Sequence, residues 1–270
     1  MKNTIKEGIK EDGTPDLKYY AFDWDDNIVH MPTKIIVKNE NGDEVKMSTD
    51  DFALYREKLG KEPFEYNGET IVGYSDYPFR NFRTEGDKDF LIDSMKAKLG
   101  PAFNDFREAI NNGSIFSIIT ARGHNPKTIK NAIYNYIVNG FGGIDKTQLV
   151  KNLRKYRDIV GEEQMSDDEL VKYYLNLNKY HPVTFGSGSA ANPEEAKVEA
   201  MEKFISYIKQ MAKKLNKKAY FKNDISNNFI PTIGFSDDDV KNIEVMKKHF
   251  ENKPDKIRTY STAGGIKKEV

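Results

Sequence analysis

The chain contains no cysteine in 270 residues. That removes disulfides, thiolate nucleophiles, iron–sulfur clusters and cysteine-ligated zinc from the chemistry open to it. Histidine is scarce: His30, His124, His181 and His249 stand far apart, without the spacing of a histidine metal site. Net charge is missing too, because 42 Lys+Arg offset 42 Asp+Glu. Bulk attraction to nucleic acid or to an anionic membrane is therefore not the defining property, although a basic patch can hide inside a neutral sum. No apolar run approaches the roughly 20 residues of a membrane helix. The stretch Met1–Glu7 lacks the apolar core of a secretory signal, so cytoplasmic residence and no membrane association are expected. Internal repeats are absent as well, which argues against a solenoid.

What remains is a polar chain, 31% charged, with a mean hydropathy of −0.71, that is nevertheless rich in Phe (16) and Tyr (15). Its length suits one large domain or a core carrying insertions. Four short apolar runs end abruptly in polar or small residues and read as buried strands: Tyr19–Phe22, Ile115–Ile119, Val183–Phe185 and Ile230–Phe235. Pro231 predicts that pairing in the last begins at Thr232 or lies at a bulge. Helices follow. Asn125-Pro126 is an N-cap and first-turn proline ahead of Ile129, Ala132, Ile133, Tyr136 and Ile137 at helical spacing. Asn192-Pro193-Glu194-Glu195 caps a long helix whose apolar stripe runs from Met201 through Phe204, Ile205, Ile208, Met211 and Ala212 to Leu215.

This alternation predicts an α/β fold, a Rossmann-like open and mostly parallel sheet with helices on both faces. Ligands of such sheets bind at the carboxyl ends of the strands. Two intervals break the pattern and read as inserted cap segments over that end. Residues 30–112 open with a hairpin, Lys34–Val37 and Glu44–Met47 turned at Asn41-Gly42, and continue into helices near Phe90–Leu99 and Phe103–Ile110. Residues 139–181 read as helical, with a capping box at Ser166–Glu169. The core is then 1–29, 113–138 and 182–270, with a further strand at Ile257–Tyr260.

Polar residues with chemical potential sit just after the apolar runs. Phe22-Asp23-Trp24-Asp25-Asp26-Asn27 follows the first; an acidic turn with an Asx cap explains it as readily as a reactive site. The i, i+2 spacing of Asp23 and Asp25 aims both carboxylates into one crevice. Thr120 follows the second run; a threonine there is usually structural, while Arg122 and the amides near the Asn125 cap offer an anion site. Lys197 lies one turn into the long helix, where it can reach back over the strand ends; most helical lysines are simply solvated. Ser236-Asp237-Asp238-Asp239 follows the last run. Its acids are hard oxygen ligands of the kind Mg²⁺ prefers, or the acidic start of a helix.

The order Asp-x-Asp, Thr, Lys, Asp-Asp, each just after a strand, resembles the haloacid dehalogenase-like superfamily of phosphohydrolases. Phe22-Asp23-Trp24-Asp25 matches its first motif, Ile119-Thr120 the second, Lys197 the third and Phe235-Ser236-Asp237-Asp238 the fourth. The resemblance covers roughly 17–29, 113–138 and 182–250, outside both insertions. It departs at Asp26-Asn27, where the family usually has Gly-Thr or Gly-Val.

The resemblance implies a Mg²⁺-dependent phosphatase with Asp23 as nucleophile and Asp25 as general acid and base. Asp23 and Asp237 would ligate Mg²⁺ by their side chains and Asp25 by its carbonyl, with Asp238 either a direct ligand or just outside the ligand set. Thr120 and Lys197 would hold the phosphoryl oxygens, with Arg122 contributing to substrate binding. A small phosphorylated substrate is implied. Aromatics interleaved with arginines over Ser75–Arg83, and the basic Lys146, Lys151, Arg154, Lys155 and Arg157, make a nucleotide or nucleic-acid end one candidate; a small hydrophobic core with solvated arginines is the plainer account. His30 and His124 are candidate substrate contacts, and Gly186–Ser189 weakly resembles a phosphate loop. A non-catalytic ligand- or partner-binding relative, and a phosphotransferase or mutase using the same aspartyl-phosphate, remain open alternatives.

Overall fold

Three of the apolar runs lie side by side in the middle of one sheet. The computed structural model describes residues 18–160, 162–184, 192–217 and 232–270. Its first half runs β1 (Lys18–Phe22), β2 (Val29–His30), β3 (Ile35–Asn39), β4 (Glu44–Met47), α1 (Thr49–Tyr55), β5 (Phe64–Tyr66), β6 (Glu69–Tyr74), α2 (Asp87–Ser94), β7 (Lys98–Leu99) and α3 (Phe103–Asn112). The second half runs β8 (Phe116–Thr120), α4 (Pro126–Asn139), α5 (Lys146–Val160), α6 (Asp167–Leu177), β9 (Lys179–Pro182) and α7 (Pro193–Lys217). It closes with β10 (Thr232–Asp237), α8 (Val240–Phe250), β11 (Lys256–Ser261) and β12 (Lys268–Glu269).

The main sheet has the order β12-β11-β10-β1-β8-β9, parallel throughout except for β12. The architecture is α/β with a mostly parallel sheet, as the alternation predicts. Period-two alternation sends successive side chains to opposite faces. Phe22, Phe116 and Ile118 join one core with residues of α3, α4, α5 and α6. Ala21, Ile119, Ile233 and Phe235 join the other with α7 and α8. Burial of each phenylalanine or isoleucine among these stabilises the fold by roughly 1.5–3 kcal/mol.

Helix starts follow the capping chemistry. Asn125 accepts from the Lys127 amide and Ser166 from the Glu169 amide in a complete capping box. Asn192 accepts from the amides of Glu194 and Glu195. At the other end of α4, Gly140 takes the left-handed conformation (φ 64°) that stops the helix.

Two expectations need correction. The edge strand is Lys179–Pro182, not Val183–Phe185; Val183 and Thr184 form a turn and Phe185 lies outside the described residues. An edge strand pairs on one side only, so it needs no continuous apolar run, and Lys179-Tyr180-His181-Pro182 does not announce itself. The boundary expected at 181/182 therefore falls inside a strand. The helix expected at Phe90–Leu99 runs from Asp87 to Ser94 instead, because Lys98 and Leu99 pair with His30 and Val29. Gly100 follows at a contact only glycine tolerates: a Cβ there would lie 2.4 Å from the Asn27 carbonyl oxygen. This clamp braces the loop after β1. Ile230-Pro231, Ala212, Leu215 and the Gly186–Ser189 loop lie outside the residues whose side chains are described.

The 30–112 interval contains an antiparallel sheet of order β4-β3-β6-β5, with the hairpin turning at Gly42. Val37, Val45, Met47, Phe64, Tyr66 and Ile71 form its own core beneath Phe52 and Tyr55 of α1. Helix α3, at the end of the same interval, packs into the main core through Phe103 and Phe106. Helices α5 and α6 do likewise through Leu149, Leu153, Leu170 and Tyr174, on one face of the main sheet. Among the described residues, no helix is long and apolar enough to cross a membrane.

Candidate active site

β1, β8 and β10 are adjacent, and their carboxyl ends bring Asp23, Thr120 and Asp237 to one edge of the sheet. The backbone sets this register: Phe22 pairs with Ser236, and the Asp23 amide donates to the Ser236 carbonyl at 2.9 Å. Lys197, on the fifth residue of α7, lies between two of the acids. Its ammonium donates to Asp23 Oδ1 at 2.8 Å and to Asp237 Oδ2 at 2.7 Å, all three groups being buried. Asp237 Oδ1 accepts from the Asp239 amide (3.0 Å) and from Asn242 Nδ2 (2.9 Å), which fixes that carboxylate. Asp23 Oδ2 has no hydrogen-bond partner among the described residues. Asp239 is the N-cap of α8 and accepts from the Lys241 amide. Of the acidic triplet it serves the helix, while Asp238 faces the other carboxylates.

One carboxylate oxygen from each of Asp23, Asp237 and Asp238 lies within 4.8 Å of the others. Three acids around one lysine leave uncompensated negative charge. Burial drives the Asp23 carboxyl well above the usual carboxylate range; Lys197 pulls it down, and Asp237, Asp238 and Asp25 push it up. Burial and the Asp237 charge push Asp238 up to about 8. Burial works against the Lys197 ammonium, yet Asp23 and Asp237 hold its pKa above the ordinary value. A set of hard oxygen donors carrying excess negative charge in a buried crevice fits a divalent cation of the Mg²⁺ type.

Asp25 faces a different partner. Arg122 grips it in a two-point pair, Nε to Oδ2 at 2.7 Å and Nη2 to Oδ1 at 2.6 Å. The same guanidinium donates to Thr33 Oγ1 at 3.0 Å and meets His124 Nε2 at 3.2 Å, and only 1% of the residue is exposed. Each of its three nitrogens thus has a protein partner. Thr120 is buried, and its hydroxyl accepts from the Arg122 amide at 3.2 Å, leaving its own proton to donate elsewhere.

The departure at Asp26-Asn27 has a structural answer. Asp26 adopts φ 51°, a left-handed conformation that glycine takes freely and that Asp and Asn tolerate best among other residues. Its carboxylate meets His30 Nδ1 at 2.8 Å. Asn27 is fully buried and joins three segments: its Nδ2 donates to the Asp23 carbonyl and to Ser236 Oγ, each at 3.0 Å, and its Oδ1 accepts from Thr262 Oγ1 at 3.0 Å.

The Ser75–Arg83 stretch is largely engaged by neighbouring protein groups. Phe79 packs edge-on against Phe52 and Phe82, Arg80 pairs with Glu44 at 2.7 and 2.8 Å, and Arg83 donates to the Thr184 carbonyl. In the 139–181 interval Arg154 pairs with Asp167, and Arg157 with Glu162. Asn27, Thr33, Asp87, Asn242 and Thr262 escaped sequence reasoning as site residues. Only Asn27, next to the acidic run, carried a signal that proximity would have caught.

No protein-family model, curated protein or solved structure matches this chain.

Proposed function

We propose that the protein is a Mg²⁺-dependent phosphohydrolase of the haloacid dehalogenase-like type, working through an aspartyl-phosphate at Asp23. The observation that carries this reading is the cluster at three adjacent strand ends, with Lys197 bridging Asp23 and Asp237 at 2.8 and 2.7 Å and Asp238 beside them.

The chemistry follows from the donors and acceptors present. Asp23 Oδ2, the oxygen without a hydrogen-bond partner among the described residues, attacks phosphorus while the bond to the leaving oxygen breaks. Asp25 supplies the proton to that oxygen. A water molecule then attacks the aspartyl-phosphate, Asp25 takes its proton, and the Asp23 carboxylate is released. Lys197 and the Thr120 hydroxyl donate to phosphoryl oxygens, where negative charge concentrates in the transition state. Asp23, Asp237 and Asp238 would hold Mg²⁺ with the Asp25 carbonyl; the ion supplies the positive charge that one lysine cannot. Arg122 serves this scheme through Asp25, its guanidinium being engaged by protein groups. The core and the two inserted segments are a division of the chain that belongs to the same proposal, as does a nucleotide or nucleic-acid end as substrate.

A panel of phosphorylated metabolites and nucleotides, assayed with and without Mg²⁺, tests the proposal. Wild type should release phosphate only with the metal, and Asp23→Ala should release none. Near wild-type turnover by Asp23→Ala overturns the mechanism.

A further inference from the structure

The Asp25–Arg122 pair does not end at the guanidinium. His124, fully buried, meets Arg122 Nη1 through Nε2 at 3.2 Å and Asp87 Oδ1 through Nδ1 at 2.9 Å. Asp87 Oδ2 accepts from Thr128 Oγ1 at 2.8 Å. A guanidinium only donates, so Nε2 of His124 must accept and the ring proton must sit on Nδ1, facing Asp87. Every polar contact in the row then has one donor and one acceptor. The row also has rigid walls: Phe82 and Phe90 lie 4.5 and 5.1 Å from the Arg122 guanidinium carbon, and the Phe90 ring is 4.5 Å from that of His124. Its members come from distant parts of the chain. Asp25 follows β1, Thr33, Phe82, Asp87 and Phe90 belong to the 30–112 interval, and Arg122 and His124 follow β8.

We propose that His124 and Asp87, with Thr33, are positioning residues for the reaction. They act through Arg122 to hold the Asp25 carboxylate in place for proton transfer. This inference rests on the phosphohydrolase reading, and within it assigns a task to the 30–112 interval other than covering the site. An arginine held from one side alone sweeps many rotamers; one held at all three nitrogens and between two rings presents a single fork to Asp25. The step most exposed to misplacement is hydrolysis of the aspartyl-phosphate. There the water oxygen bonds to phosphorus, the phosphorus–Asp23 bond breaks with its electron pair returning to the carboxylate, and the water proton passes to Asp25.

The test uses p-nitrophenyl phosphate with Mg²⁺ in rapid-mixing experiments on the full chain. Nitrophenolate leaves without needing a proton, so the first turnover reports formation of the aspartyl-phosphate and the steady state reports its breakdown. In His124→Phe, which keeps the ring against Phe90 but loses both nitrogens, the ratio of burst rate to steady-state rate should rise about tenfold or more. His124→Gln, whose amide oxygen can accept from Arg122, should recover most of the loss. Thr33→Val removes one hydrogen bond to Arg122 and should raise the ratio by roughly twofold to fivefold; it carries the test if His124→Phe does not fold. An unchanged ratio in these variants, or burst amplitude and steady-state rate falling together, overturns the positioning role. If wild type with Mg²⁺ turns over no aryl phosphate, the phosphohydrolase reading itself fails and this inference fails with it.

Discussion

The ammonium of Lys197 lies 2.8 Å from Asp23 Oδ1, although 174 residues separate the two in the chain. Both groups are buried, and Asp237 shares the same lysine. Removing one partner of such a pair leaves the other charge in low dielectric without compensation, typically at a cost of several kcal/mol. Lys197→Met should therefore lower unfolding free energy by about 3 kcal/mol in denaturant titrations without metal. The proposed phosphatase activity should disappear with it.

Asp23→Asn separates chemistry from stability. Burial and the neighbouring acids already disfavour the Asp23 carboxylate. An amide of the same shape relieves that repulsion while Lys197 keeps Asp237. Turnover should vanish, while denaturant midpoints place stability within about 1 kcal/mol of wild type.

Metal binding should be visible without any substrate. A ligand at a hundredfold excess over its Kd stabilises the native state by about 2.7 kcal/mol. Thermal unfolding should move upward with Mg²⁺ concentration in wild type, and the shift should be lost in Asp237→Asn. An equal shift in both would place the ion elsewhere.

The Asn27 side chain bonds to three partners, the Asp23 carbonyl, Ser236 and Thr262. Asn27→Ala leaves buried polar groups unpaired, at about 1–3 kcal/mol each. A drop of roughly 2–4 kcal/mol in unfolding free energy is expected. Because the loop carrying Asp25 is fastened by the same residue, kcat should fall as well.

Acid should weaken the fold through His124. Burial first, and then the Arg122 charge, push this imidazole down to about 4 from an ordinary 6.5. Between those values the unfolded chain binds the proton more readily than the native one, so stability rises with pH. The contribution is fully present above pH 6.5 and is lost as pH falls through 4, at most about 3 kcal/mol. Asp238, with its carboxyl pushed up to about 8, tilts stability the other way over this range, so the slope is read as the difference between the unfolding curves of wild type and His124→Gln.

The strand-end acids were legible because a strand buried on both faces must be continuously apolar, so its last residue is marked by the sudden change to Asp or Thr. This holds for Asp23, Thr120 and Asp237, which end or follow β1, β8 and β10. β9 was missed for the converse reason: at the edge of the sheet Lys179, Tyr180 and His181 are only half-buried and form no apolar run.

The amino-acid sequence by itself determined the alternation of strands and helices, the helix caps, and which acids stand at strand ends, since all of these are written in spans of a few residues. Tertiary structure alone decided the partners. Strand order makes Asp23 and Asp237 neighbours, and the rotation of α7 directs Lys197 between them rather than into solvent. The packing of the 30–112 interval places Thr33 and two phenylalanine rings around Arg122, so that its charge is turned to Asp25. Such pairings depend on register and helix orientation between residues far apart in the chain, 174 positions in the case of Asp23 and Lys197, and local composition carries no record of either.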